Sequence, residues 1–262
     1  MNPVRAIEEN GEEFLLALGR AAGAEERDDG WVRWVIGDIP IDYHNCVVHA
    51  DLEPDEADGV IVESLERFRA HGAPGSWHVG PSMRPADIGG RLLAHGFSHG
   101  GDDIGMAADL SSLPDDVPVA EEVEIERVKD EDALAAWQGT LARGFGEGAV
   151  EAEWVGEMYR RLGLDDEGPW RHYLGRLGSV PVATSTLFLG AGVAGIYFVS
   201  TVEEARRRGI GAALTLAPLL EAKGIGYRLG VLGASPMGYP VYRKLGFREY
   251  CRIGLYEWRS MS

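Results

Sequence analysis

A short loop between an apolar run and a helix carries the residues best suited to hold an anion. The run 193–198 is rich in β-branched and aromatic side chains, which predicts a buried strand. The loop after it contains three consecutive arginines at 206–208 and two glycines, Gly209 and Gly211. Glycines let a ligand approach the backbone closely, and the helix that follows directs unpaired N–H groups at the loop. These residues predict a pyrophosphate-binding site.

Two other kinds of glycine-rich phosphate site fit this loop less well. A nucleotide P-loop has Lys followed by Ser or Thr after its last glycine, and here Ala212 and Ala213 follow. A dinucleotide fingerprint requires a third Gly or Ala at fixed spacing and an acid after the next strand, and the loop matches that pattern only in part. The predicted strand also lies late in the chain, whereas the fingerprint opens a βαβ unit.

A second motif follows further along the chain. The segment 234–247 contains Tyr242 and ends in Leu-Gly-Phe. Together with the pattern Arg206-x-x-Gly209-x-Gly211, this segment resembles the signatures of the GNAT superfamily of N-acyltransferases, which bind the pyrophosphate of coenzyme A. The resemblance covers residues 123–258, about half of the chain.

The resemblance implies a role for each matched position. It implies acetyl-CoA or another acyl-CoA as co-substrate, no metal, and backbone pairing between the strand end at Val199 and the pantetheine arm. Tyr242 would be the general acid for the leaving thiolate, or would only pack on the coenzyme, since a thiolate can leave without help. Ser235 stands where relatives often have an Asn that contacts the coenzyme arm. The expected cofactor-binding residues are Val199, Ser200, Thr201, Arg206, Arg207, Arg208, Gly209, Ile210, Gly211, Ala212 and Ser235.

The base for the acceptor amine is not identified by the sequence. An alkylammonium group is mostly charged at neutral pH, so a base or a water chain must take its proton before it attacks. Glu203, His172, Glu153 and Glu157 are candidates by approximate position. Each of them also fits the role of an ordinary surface or helix-face residue.

The pattern of apolar residues predicts the elements that position these motifs. For the first half it predicts helices at 1–24, 56–71 and 85–95 and strands at 31–36, 45–50, 76–79 and 103–110. For the second half it predicts a strand at 123–128, helices at 130–141 and 151–162, and three antiparallel strands within 170–199. The helix after the arginine loop, a strand at 227–232, the Tyr242 helix and two closing strands at 247–251 and 253–258 follow.

The two halves resemble each other at a shift of 150 residues. Gly96-Phe97 then falls on Gly246-Phe247, and Trp77 falls on Tyr227. At this shift Glu56-Ala57-Asp58 replaces the three arginines, Ile61 replaces Gly211 and Leu92 replaces Tyr242. The first half therefore lacks the expected anion site and the acid.

The predicted fold class is α+β with a mixed α/β sheet. We expect two GNAT-like domains in tandem, each with a mostly antiparallel central sheet flanked by helices. Residues 1–112 would form a degenerate domain, 113–122 a linker and 123–262 the catalytic domain.

Composition narrows the possible partners. The formal net charge is −17 and the isoelectric point is near 4.8, which argues against binding nucleic acid or an anionic membrane. Cys46 and Cys251 form no disulfide framework or metal-ligand pattern. With no secretory signal pattern, a cytoplasmic location is expected. The acceptor is expected to be a primary amine of a small molecule or peptide, and the protein a monomer or homodimer.

Three functions remain open at this point. The first is an enzyme that transfers an acyl group, most simply acetyl, to an amine by direct attack. The second is a non-catalytic acyl-CoA-binding or regulatory module. The third is acyl transfer to the thiol of a carrier protein.

Overall fold

A computed structural model describes residues 1–119, 122–145 and 148–259. The chain forms two compact units, of which the first combines the two ends of the chain and the second is one continuous segment. The first unit consists of residues 1–105 together with 250–262, and the second consists of residues 106–249.

Seven helices and eleven strands are found in the described residues. The helices are α1 (Pro3–Ala22), α2 (Ala57–His71), α3 (Ile88–Ala94), α4 (Glu131–Gly144), α5 (Ala149–Leu162), α6 (Ile210–Gly224) and α7 (Tyr239–Leu245). The strands are β1 (Glu25–Asp28), β2 (Val32–Ile36), β3 (Cys46–Ala50), β4 (Gly75–Val79), β5 (Ser98–Asp109), β6 (Val123–Arg127), β7 (Trp170–Leu177), β8 (Val180–Gly190), β9 (Val193–Thr201), β10 (Leu229–Ala234) and β11 (Arg248–Trp258).

In the first unit the strands follow the order β1-β2-β3-β4-β11-β5. Strands β3 and β4 are parallel, whereas β1–β2, β2–β3 and β4–β11 are antiparallel. Helix α1 begins at the Asn2 cap and ends at Gly23, which adopts the left-handed conformation that suits glycine. The apolar face of α2, with Phe68, packs in a core that also contains the fully buried Trp77 of β4.

In the second unit the order is β10-β9-β8-β7-β6. Strands β9 and β10 are parallel, and the three other pairs are antiparallel. Helix α6 contacts β7, β8 and β9, and the Ser185 hydroxyl donates a hydrogen bond of 2.7 Å to the Leu214 carbonyl, which ties α6 to β8. Trp137 of α4 is also fully buried. The predicted fold class, a mostly antiparallel mixed sheet with flanking helices, is confirmed.

Three details differ from the expectation. The two predicted closing strands are one continuous strand, β11, and β1 was not predicted because its sequence, Glu-Glu-Arg-Asp, has no apolar residue. The helices α2 and α6 begin 153 residues apart (57 and 210), whereas β5 and β11 begin 150 apart (98 and 248). The shift of 150 therefore misaligns the loop before α2 by three residues.

The domain division 1–112, 113–122 and 123–262 stays a prediction. Residues 120 and 121 of its linker lie outside the described residues. The compact units have other bounds, because β11 belongs to the first unit through its pairing with β4.

Candidate active site

The parallel strands β9 and β10 part from each other at the candidate site. Their pairing ends at Ile196 and Leu232, yet β9 continues to Thr201 and β10 to Ala234. The last residues of β9 are thus left with backbone groups on the side facing away from β8. An extended ligand can pair with such an unpaired strand end.

A β-bulge turns the end of β9 at this point. Thr184 pairs with Ser200 and Thr186 with Tyr197, so one residue of β8 faces two residues of β9. Phe198 has a φ of 49°, which is uncommon for a residue with a side chain. Bulges of this kind redirect backbone groups, and this one lies at the start of the predicted pantetheine segment, Val199 to Thr201.

The loop after β9 forms a concave backbone at the N-terminus of α6. Arg207 has a φ of 62°, and Gly209, the N-cap of α6, has a φ of 79°. No side chain caps the helix, so the N–H groups of the first turn, at Ile210, Gly211 and Ala212, are available to an anion. A Cβ at Gly211 would meet only the Thr201 hydroxyl, at 3.6 Å. The loop is therefore open at Gly211.

Gly209 is required for a second reason. A Cβ at this position would lie 2.1 Å from the carbonyl oxygen of Pro118, because the backbone at Pro118 passes directly beside the loop. Residues 118 and 119 of the predicted linker therefore pack on the loop at Gly209, while no linker residue lies within 4 Å of a Cβ at Gly211.

The three arginines of the loop have different surroundings. Arg206 donates from Nε to the Thr201 carbonyl at 3.0 Å and from Nη2 to the Gly144 carbonyl at 3.4 Å, so its side chain joins the end of β9 to the end of α4. Arg207 and Arg208 are exposed, and neither has an ion pair within the described part of the chain. Their charges are free to meet a phosphate group, whereas that of Arg206 is largely engaged in structure.

Tyr242 lies in α7 with its ring buried and its hydroxyl unbonded. Burial raises the pKa of Tyr242 to about 12. Its ring fills the space beside Gly238, where a Cβ would come within 2.8 Å, and the described residues give the hydroxyl no hydrogen-bond partner. Ser235 is exposed directly after β10, and its hydroxyl accepts the Gly238 N–H at 3.2 Å.

The four candidate bases are not brought together. Glu203 and Glu153 are exposed, and Glu157 forms ion pairs with Arg160 and, at 3.1 Å, with Arg161. His172 is buried, and burial lowers its pKa to about 3. A histidine with that pKa is a poor base at neutral pH.

A buried acid on α5 was missed by the sequence analysis. Glu151 is only 1% exposed, and its charge contributes to raising the pKa of Tyr159, which burial already raises well above the usual value. The Tyr159 ring stacks on His172 at 3.7 Å between centroids and lies 6.4 Å from the Phe198 ring at the bulge. Glu151, Val155 and Tyr159 recur at four-residue intervals, so helical periodicity could have placed Glu151 on the buried face.

Comparison with known proteins identifies the family of this region. Residues 116–239 match a protein-family model described as "Acetyltransferase (GNAT) domain". This region forms a GNAT acetyltransferase domain. No curated protein matches the sequence.

Several solved GNAT structures share the fold. A GCN5-related N-acetyltransferase from Kribbella flavida is 18% identical, with a TM-score of 0.74, and the match covers 99% of this chain and 96% of that one. One from Sphaerobacter thermophilus is 19% identical, with a TM-score of 0.60 and coverage of 81% and 70%. A tandem GNAT protein from the clavulanic acid biosynthesis pathway is 16% identical, with a TM-score of 0.58 and coverage of 90% and 82%. The tandem GNAT arrangement predicted from the internal repeat agrees with the last of these.

In the first unit the parallel strands β3 and β4 also part from each other, as β9 and β10 do in the GNAT domain. Here, however, the space beside β3 is filled by the unit's own backbone. Pairing of β3 with β4 ends at Val47 and Trp77. The Arg84 N–H then donates to the Ala50 carbonyl at 2.9 Å, and the Leu52 N–H donates to the Arg84 carbonyl at 3.3 Å. The place that a pantetheine arm would take beside β3 is thus occupied by residue 84.

The loop before α2 also differs from the arginine loop. Glu56 is the N-cap of α2, Asp58 lies in its first turn, and Gly59 is inside the helix instead of at its start. The loop before α2 is acidic and the loop before α6 is basic, as predicted. The residues of the two loops correspond at a shift of 153 residues instead of 150. These features give a physical reason why the first unit would not hold acyl-CoA.

The described residues were also searched for membrane-spanning helices and for metal sites. None of their helices has the length and apolar character needed to cross a membrane. No cluster of three or more His, Cys, Asp or Glu side chains placed to hold a metal ion occurs in 1–119, 122–145 and 148–259.

Proposed function

We propose that the GNAT domain transfers an acyl group, in the first place acetyl, from acyl-CoA to a primary amine of a small molecule or peptide. The observation that carries this proposal is the parting of β9 and β10 beside the uncapped N-terminus of α6. A strand end with free backbone groups suits the amide-containing pantetheine arm, and helix N–H groups suit a pyrophosphate.

Each predicted cofactor residue has a role in this proposal. The backbone of Val199, Ser200 and Thr201 pairs with pantetheine, and an N–H near the bulge polarises the thioester carbonyl. The pyrophosphate is bound by the N–H groups of the loop and the first turn of α6, with exposed positive charge from Arg207 and Arg208. Arg206 holds the loop in shape, and Ser235 lies at the end of β10 beside the coenzyme arm.

The raised pKa of Tyr242 defines how it acts. A phenol with a pKa of about 12 stays protonated at neutral pH and can donate a hydrogen bond to the sulfur of the leaving thiolate. Full proton transfer to a thiolate of pKa about 8.5 would be unfavourable by on the order of 5 kcal/mol. Tyr242 therefore stabilises the charge on sulfur, and the net proton comes from the attacking amine.

Cofactor binding is tested by thermal unfolding with acetyl-CoA and with free CoA. The unmodified protein should be stabilised by both, and the double variant Arg207→Glu, Arg208→Glu should lose this response while keeping its melting temperature without ligand. Arg206→Ala is the matched structural variant, because it removes hydrogen bonds to Thr201 and Gly144 and should lower the melting temperature itself. No response of the unmodified protein to either compound would refute acyl-CoA binding.

We also propose Glu151 as the carboxylate that receives the acceptor's ammonium group. Glu151 is 1% exposed on the same face of α5 as Tyr159, whose ring lies 6.4 Å from the Phe198 ring at the bulge, and this places its carboxylate on the side of the proposed thioester. Glu151→Gln should raise the KM for the amine and leave the response to acetyl-CoA unchanged. Glu153→Gln, at an exposed position two residues along α5, is the control and should change neither. Equal effects of the two substitutions would count against Glu151.

Catalysis is tested by thiol release from acetyl-CoA in the presence of a panel of amines. Amine-dependent release supports the proposed transfer to an amine. Binding of acetyl-CoA without release by any amine would favour a non-catalytic module, and release only with a phosphopantetheinylated carrier protein would favour a thiol acceptor. A cytoplasmic location is part of the proposal and agrees with the two buried cysteines, Cys46 and Cys251, which are not joined in a disulfide.

A further inference from the structure

The first unit contains a small cavity that the proposed acyl transfer does not use. It has a volume of about 50 Å³, enough for a group of a few non-hydrogen atoms. It lies between α1 and the ends of β3 and β4. Its polar lining residues are Glu8, Glu12, His78 and Ser82, and most of the remaining surface comes from apolar side chains of α1, β3 and β11 and from Met83.

The carboxylate of Glu8 is buried against this cavity. Glu8 is 7% exposed, and its Oε1 accepts the Ser82 N–H at 2.9 Å. Gly80 makes room for it, since a Cβ there would lie 2.3 Å from the same oxygen. In the described parts of the chain, the other carboxylate oxygen, Oε2, has no hydrogen-bond donor and no cationic partner. A ligand in the cavity can therefore donate a hydrogen bond to this oxygen.

The neighbouring positive charge is already engaged. Glu12 is 8% exposed and forms a salt bridge with Arg33, with 2.6 Å between Arg33 Nη1 and Glu12 Oε2. Its Oε1 lies 3.4 Å from His49 Nδ1. The charge of Arg33 is therefore largely balanced by Glu12. The negative charge of Glu8 remains without such a partner.

The histidine that lines the cavity adds an acceptor. His78 Nε2 lies 2.9 Å from the Tyr43 carbonyl oxygen, which can only accept, so this nitrogen carries the hydrogen. Burial lowers the pKa of His78 to about 4, so its ring is neutral and its Nδ1 is an acceptor. The cavity thus has the Glu8 carboxylate, which forms no ion pair within the described residues, and the neutral His78 ring among mostly apolar surface.

We propose that this cavity binds an ammonium group, either the free ion or the end of a small alkylammonium compound. An ammonium group supplies N–H donors and a positive charge to the Glu8 carboxylate, and a short alkyl group suits the apolar side chains of the lining. Gly11 leaves it space on the side of α1, because no atom lies within 4 Å of where its Cβ would be. This proposal does not depend on acyl transfer by the second unit.

The test compares the melting temperature of the full chain in ammonium chloride, methylammonium chloride, tetramethylammonium chloride and sodium chloride at equal ionic strength. Ammonium and methylammonium should raise it by roughly 2–4 °C above the value in sodium chloride at concentrations well above the dissociation constant. Tetramethylammonium, which has no N–H donor, should not. Glu8→Gln should abolish the difference, and Glu9→Gln, whose side chain is 39% exposed on the same helix, should keep it.

A second variant keeps the test decisive if Glu8→Gln weakens the fold. Gly11→Leu fills the space at α1 without changing any charge, and leucine is a better helix former than glycine. It should therefore fold well and lose the response to ammonium. Equal melting temperatures of the unmodified protein in all four salts, or an unchanged ammonium response in either variant, would overturn the proposal.

Discussion

At the scale of single residues, a Tyr242 variant tests whether the proposed hydrogen bond to sulfur acts in catalysis or whether the ring only packs on the coenzyme. Its ring is packed beside Gly238, so a phenylalanine keeps the shape of α7, while its hydroxyl has no partner among the described residues to lose. Tyr242→Phe should therefore lower kcat by about 10²-fold, in the range expected for loss of one hydrogen-bond donor to a developing negative charge, with little change in the KM for acetyl-CoA. Steady-state kinetics at saturating amine would measure both constants.

The outcome that contradicts this role is also specific. An unchanged kcat with a raised KM would show that Tyr242 only packs on the coenzyme. Tyr239→Phe, at the start of the same helix, is the control and should leave both constants near those of the unmodified protein.

Many residues of the candidate site could be proposed from their side-chain types alone. The arginines, glycines and tyrosine could be predicted as site residues because phosphate binding and acid catalysis favour particular side chains or a missing Cβ. The different surroundings of Arg206 and Arg207 could not, because hydrogen bonds from Arg206 to Thr201 and Gly144 depend on how α4 ends against β9. Tertiary packing of this kind leaves no local pattern.

At the scale of elements, the start of α6 contains two glycines with different constraints. Gly209 has a positive φ, and a Cβ would collide with the Pro118 carbonyl at 2.1 Å, whereas Gly211 has only the Thr201 hydroxyl at 3.6 Å. Gly211→Ile should therefore fold with a melting temperature close to that of the unmodified protein. It should abolish stabilisation by acetyl-CoA, because the branched side chain would stand where the pyrophosphate is proposed to approach the backbone.

Gly209→Ala is the contrasting variant for that experiment. It should lower the free energy of unfolding by about 1–3 kcal/mol even without ligand, since a left-handed conformation and a backbone collision are both imposed on it. Stabilisation by acetyl-CoA in Gly211→Ile equal to that of the unmodified protein would argue against a pyrophosphate at this helix end.

Element order was more predictable than element extent. In the second half, alternating apolar residues indicate strands and apolar residues spaced by three or four indicate helices. This spacing predicts the observed order of elements up to the last strand. The break predicted near Cys251–Ile253 is absent, since β11 pairs with β4 over Gly254 to Trp258 and continues through the polar residues before them. Pairing across distant parts of the chain, and not local sequence, sets the length of this strand.

At the scale of the whole molecule, three histidines with lowered pKa values make the stability of the fold depend on pH. Burial lowers the pKa of His172 to about 3, that of His44 to about 3 and that of His78 to about 4, against about 6.5 in an unfolded chain. Between these values the unfolded chain binds more protons than the folded one. Stability should therefore fall as the pH falls from about 6.5 towards 4, by up to about 1.4 kcal/mol per pH unit for each histidine.

Urea unfolding at several pH values between 7.5 and 4.5 measures this slope. His172→Asn removes one titrating group while its amide can replace the contact of Nδ1 with the Thr186 hydroxyl at 3.0 Å, so its slope should be smaller. The comparison of variants matters because the net charge of −17 also diminishes on acidification, which relieves repulsion and acts in the opposite direction. His99→Asn, at an exposed ring, should keep the slope of the unmodified protein.

The bounds of the two units predict how the chain can be divided. The first unit needs β11, which pairs with β4 from Gly254 opposite Val79 to Trp258 opposite Gly75, and whose Trp258 ring stacks on Phe68 at 6.1 Å. A chain of residues 1–112 lacks this strand, so β4 would present unpaired backbone groups and an uncovered aromatic core. It should not unfold cooperatively in urea.

Residues 1–109 joined through a Gly/Ser linker to residues 248–259 restore the missing strand and should recover a cooperative transition. The same linker followed by residues 248–259 in scrambled order is the control, since it has the same composition without the alternation that matches β4. Cooperative unfolding of residues 1–112 alone would show that the sequence halves fold as separate domains. Failure of the rejoined chain would show that the first unit needs more of the second half than its last strand.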